Sequence, residues 1–154
     1  MKSKLFNSPF EAELRVLLVL ENSPMDAISS DMILAIDFVS IYGKEFGISE
    51  ENLHGDSSYK YSELASKKEL VNIAIKELVL QGLIEVVSHD GFKYRISEIG
   101  LKYISSFNGV YSEIFSDNAK SAFEKYEDVN EFAILKMIQE KSKESIKQEG
   151  KENV

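Results

Sequence analysis

Lys68, Asn72 and Lys76 are spaced four residues apart, with Lys67 at the start of the run. On a helix these positions share one face. Such a face could neutralise phosphates, and Asn72 could read an adenine edge. Lys93 and Arg95 would add charge from a neighbouring strand. The plainer reading is a solvated helix side, because Glu69 and Glu77 are interleaved with the lysines. Arg15 and Asp37 interrupt apolar helices. They could form a buried pair that fixes helix docking, but a local Glu11–Arg15 surface pair at i,i+4 is favoured. His54 and His89 are the only histidines and have no ligand spacing around them, so no metal site is expected. Asp26 and Asp31 read as helix-start residues. Gly43-Lys44 lacks the upstream glycine and following Ser/Thr of a phosphate loop, and no serine sits in a nucleophile elbow. No catalytic or cofactor-binding residue is expected, and the chain reads as a non-enzyme.

Composition narrows the partners. The 154 residues hold 18 basic and 26 acidic side chains, a net charge of −8, and no cysteine. Disulfide scaffolds and thiolate metal sites are excluded. The net charge is −6 over residues 1–56, +1 over 57–105 and −3 over 106–154. Duplex affinity comes largely from phosphate neutralisation. Arg, its best bidentate agent, occurs only at Arg15 and Arg95. DNA binding is therefore disfavoured. The longest strongly apolar run is Val16 to Leu20, far short of the roughly 20 residues of a membrane span. Lys2 and Lys4 look like the start of a signal peptide, but Glu11, Glu13 and Arg15 interrupt its apolar stretch. A cytoplasmic protein without membrane insertion is expected.

The elements that must position these residues are mostly helical. Ser8-Pro9 with Glu11 is a capping box with proline at N1, opening a helix through Phe10, Leu14, Leu17 and Leu18. A second helix from Ser30 is apolar around most of its circumference and ends at Gly43 or Gly47. Residues 47–62 form a long loop, with Tyr59 and Tyr61 as its aromatic pair. A third helix is capped by Ser66, with Glu69 closing the box, and ends at Gly82 with Leu83 touching Leu78. Leu83–Ser88 and Phe92–Ile96 form a hairpin around His89-Asp90-Gly91. A fourth helix starts near Glu98, and helical segments follow over Asn118–Tyr126 and Val129–Ile138. The wide apolar stripe of the last either closes the core or pairs with a partner. From Lys141 the tail is polar, as solvated helix or frayed, disordered coil.

The order helix, helix, helix, hairpin, helix, with Gly82-Leu83-Ile84 leading to Tyr94-Arg95-Ile96 and Gly100, resembles a winged helix-turn-helix domain. The expected fold is mostly α (α+β): a winged-helix core over 5–105, a helical extension over 106–140, and a polar tail over 141–154. The wider layout runs from Phe6-Asn7-Ser8-Pro9-Phe10-Glu11 and Leu14-Arg15, through Ile28 and Asp31, to Leu34-Ala35-Ile36-Asp37-Phe38 and Leu53-His54. It resembles the small middle components of bacterial three-component conflict systems built around an ABC-type ATPase. That resemblance implies a non-enzymatic adaptor, in defence against mobile elements, between the ATPase and an effector or membrane-linked component. The alternative is a transcription regulator that dimerises through its C-terminal helices and places two third helices in successive major grooves.

Overall fold

The computed structural model describes residues 8–55, 60–88 and 91–152. Phe6, Asn7, Tyr59, His89 and Asp90 lie outside the described residues. Helix α1 (Pro9–Asn22) begins as its sequence dictates: the Ser8 hydroxyl accepts the Glu11 N–H at 3.2 Å, and proline takes the first turn. Leu14 to Leu20 are all buried. Helix α2 (Ser30–Ile41) is capped by Ser29, whose hydroxyl accepts the Met32 N–H at 3.1 Å, and Met32 to Ile41 are all buried. A helix buried on every side must be central, and α2 packs against α1 and three other helices. A 3-10 turn, Gly43–Phe46, follows and stops at Gly47, whose φ of 71° needs glycine.

The loop is tied to the end of α2. The Asn52 carboxamide accepts the Lys44 N–H and donates to Glu45, and the Leu53 N–H donates to Ile41 O. A second 3-10 turn, Lys60–Glu63, ends it, and Tyr61 lies 5.9 Å from the Phe38 ring. This turn feeds directly into α3 (Leu64–Leu80), so the helix starts before Ser66. The expected Ser66–Glu69 box is therefore not the cap; Glu63 holds that position, with no side-chain cap bond. The end matches expectation: Gly82 has φ 75°, its N–H bonds Val79 O, and the Leu83 N–H bonds Leu78 O at 2.9 Å, a complete Schellman ending.

Strands β1 (Ile84–Ser88) and β2 (Phe92–Ile96) pair antiparallel, with Ile84 opposite Ile96 and Val86 opposite Tyr94. Tyr94 and Ile96 are half-buried and Lys93 and Arg95 exposed, as the alternation requires; Phe92 departs from it and is exposed. Ile28 bonds to the outer side of β2 through both backbone groups of Tyr94. Helix α4 (Glu98–Ser105) is capped by Ser97, which accepts the Gly100 N–H and donates to Gly82 O at 2.7 Å. A Cβ on Gly100 would overlap the backbone carbonyl of Leu83. Gly100→Ala is expected to cost about 1–3 kcal/mol through this overpacking; a thermal melt against wild type checks it.

Helix α5 (Val110–Lys125) starts well before Asn118, and α6 (Glu131–Glu152) runs into the polar tail, so that tail is helical through Glu152. Phe115, Ala119, Ala122, Ile134 and Ile138 are buried in the common core. Much of the apolar stripe of the last helix thus closes the core, and α5 and α6 complete the burial of α2. The fold is mostly α, with one two-stranded antiparallel hairpin. Among the described residues no helix is long and apolar enough to cross a membrane.

Candidate functional site

Helix α3 buries Lys67, Val71, Ala74, Ile75 and Leu78 and turns Lys68, Asn72 and Lys76 outward. The hairpin stands beside that outward face. Between them runs an open groove of about 380 Å³, with Asn72, Lys76 and Leu80 on the helix side and Val86, Phe92 and Tyr94 on the hairpin side. Leu80 is 73% exposed and Phe92 69%. An adjoining depression continues along α3 past Lys68 and Ile73. Contiguous apolar exposure of this kind marks interaction surfaces.

The six residues singled out from the sequence fall in three places. Lys68, Asn72 and Lys76 lie along the groove. Lys93 and Arg95 alternate with Phe92 and Tyr94 and so occupy the opposite face of the hairpin. There Arg95 bonds Glu85 at 2.8 Å and approaches Asp26 at 3.7 Å. Lys67 does not join the exposed face: it is 3% exposed and directed into the core. Lys67 therefore does not start the exposed helix face on which the spacing placed it. The reason is helical register, because Lys67 precedes Val71 by four residues on the apolar stripe.

Beneath α3 lies a buried polar network that the sequence only half disclosed. Arg15 Nε donates to Asp37 Oδ1 at 2.8 Å, with both side chains almost fully buried. The local Glu11–Arg15 surface pair is therefore overturned; burial of the guanidinium requires a partner inside the core. Arg15 also reaches the Tyr111 hydroxyl at 3.5 Å, and His54 Nε2 lies 2.8 Å from that hydroxyl. The His54 and Tyr111 rings stack. One guanidinium thereby links α1, α2, the 47–62 loop and α5. Burial works against charge on Arg15, but Asp37 and Tyr111 outweigh it and keep the guanidinium protonated. Burial, followed by the charges of Lys67 and Arg15, drives the His54 imidazole down to about 2. Burial also pulls Lys67 below its ordinary value; Asp37 opposes this, Arg15 adds to it and Glu63 opposes it. Tyr111 was missed in the sequence, although Tyr111, Phe115, Asn118 and Ala122 follow helical spacing.

Among the described residues no cluster of three or more histidine or acidic side chains could hold a metal ion. Fold and groove define a mostly helical protein with a hairpin docked beside its third helix and an apolar cleft between them. Residues 5–148 match the family of ABC-three component (ABC-3C) system Middle Component 2, and the chain belongs to that family. No curated protein and no solved structure matches it.

Proposed function

We propose that this chain is a non-enzymatic winged-helix adaptor of an ABC-three component system, working in the cytoplasm through protein–protein contacts. The observation that carries this reading is the family match over residues 5–148, and the groove supplies a surface for the work. The order α1, α2, α3, hairpin, α4 supports the winged-helix description. The partners are an ABC-type ATPase and an effector component of the same system, in defence against mobile elements.

A DNA-binding reading draws on the exposed Lys68, Asn72 and Lys76. Against it stand the net charge of −8, the burial of Lys67 and the engagement of Arg95 by Glu85. Dimerisation through the C-terminal helices is also disfavoured, since Ile134 and Ile138 are buried within the protomer.

The test is co-purification of the full chain with the ABC-type ATPase and effector of its system. Wild type is expected to retain the ATPase in fixed stoichiometry. Leu80→Asp and Phe92→Asp, both at exposed positions, are expected to weaken retention about tenfold or more while leaving the melting temperature near wild type. Submicromolar specific duplex binding at about 150 mM salt, lost in Lys68→Ala and Lys76→Ala, would replace the adaptor with the regulator.

A further inference from the structure

Among the described residues the hairpin has one edge in use and one open. Tyr94 exchanges both backbone bonds with Ile28, Tyr94 N to Ile28 O at 2.8 Å and Ile28 N to Tyr94 O at 3.0 Å. A strand residue directs its N–H and C=O to the same side. The Tyr94 groups therefore point away from β1, and the bonds joining β1 to β2 run through Glu85–Arg95 and Val87–Lys93. It follows that the N–H and C=O of Val86 point outward, along the free edge of β1. Among the described residues no backbone bond reaches that edge. Val86 is 43% exposed, and its side chain lines the groove with Phe92 and Leu80.

We infer that the free edge of β1 receives an extended segment of a partner, apolar at alternate positions and carrying an acidic residue. The edge backbone calls for a strand, since a helix satisfies its own N–H and C=O groups and would leave those of Val86 without partners. Residues opposite and flanking Val86 on an added strand would direct alternate side chains over Leu80 and Phe92, which calls for apolar residues there. Among the described residues lining the groove Lys76 is the charged one, and Lys68 and Glu69 offset each other in the depression beyond it. An acidic residue on the incoming segment complements Lys76. The identity of the partner rests on the adaptor reading; the mode of docking does not.

The probe is a synthetic peptide alternating valine and threonine, with glutamate at one end, titrated into the isotope-labelled full chain. Exchange of the Val86 amide is expected to slow about tenfold at saturation, while the Glu85 and Val87 amides, already bonded to β2, change little. Val86→Pro removes the outward N–H and leaves the bonds to β2 in place, as an edge strand tolerates; it is expected to abolish peptide binding. If that variant does not fold, Val86→Lys at the same exposed position blocks strand addition instead. Peptide binding without protection of Val86, no binding, or joining of two copies through β1 would each overturn the inference. Peptide docking without capture of the ATPase would leave it standing and remove the adaptor reading. Capture of the ATPase without protection of Val86 in that complex would do the reverse.

Discussion

Asp37→Ala is expected to lower stability by about 3–5 kcal/mol, the range for removing one partner of a buried ion pair. The loss comes from the guanidinium left behind. Arg15 is 1% exposed, and Asp37 lies 2.8 Å from its Nε. Without Asp37, Arg15 keeps its charge in the core but loses the carboxylate that its Nε meets at 2.8 Å. At roughly 2–4 °C per kcal/mol for a chain of this size, the melting temperature should fall by about 6–20 °C. The double variant Arg15→Met, Asp37→Leu should recover most of that, because replacing both charges by apolar groups removes the desolvation cost as well as the attraction. Thermal and urea unfolding of the three proteins decides it. A loss below about 1 kcal/mol in the single variant would mean that the pair behaves like a surface one.

Acid will destabilise the protein through His54. The imidazole has its ordinary value of 6.5 when unfolded and about 2 when folded. Below pH 6.5 the unfolded chain therefore binds a proton that the folded chain refuses, and stability falls with pH. Between neutrality and pH 5 the loss is about 2 kcal/mol, and it grows until the folded value is reached. Burial is the main reason the ring stays neutral, and Lys67 and then Arg15 add positive charge nearby. Glu11 and Glu13 act in the opposite sense, since burial raises both and favours the folded state on acidification. They are only shallowly buried, so their offset is small. Melting curves from pH 7 to 5 should show the decline in wild type and a flatter profile in His54→Gln. Equal slopes for the two would show that His54 does not set the acid sensitivity.

Elements bounded by local chemistry were legible in the sequence. Ser8-Pro9 opens α1, Gly82 closes α3 with the Leu83–Leu78 bond, and the alternation through Tyr94 and Ile96 defines β2. Each depends on groups within a few residues of one another. The start of α3 was misread because the 3-10 turn Lys60–Glu63 delivers the chain already coiled, so Ser66 has no cap to make. The choice of Asp37 as partner for Arg15 spans 22 residues and is settled by packing, which sequence spacing does not encode. The burial of Lys67 could have been found: it stands on the stripe Lys67, Val71, Ala74, Leu78, and its charge drew attention away from its register. The groove was half visible. The spacing of Lys68, Asn72 and Lys76 shows a shared outward face, but not that a groove runs along it, since the exposure of Leu80 and Phe92 depends on how the hairpin leaves the core.

The enclosure of α2 also fixes an order of events during synthesis. Asn118 closes on Ser40 across 78 residues, Lys125 on Phe46 across 79, and Tyr111 on Arg15 across 96. While the ribosome is still translating the hairpin, the outer side of the most apolar helix in the chain has no cover. Contacts this distant in sequence close slowly, and exposed apolar surface on a nascent chain invites aggregation. The apolar side of α2 therefore stays uncovered until α5 and α6 emerge, and a truncation before Val110 is expected to leave it so.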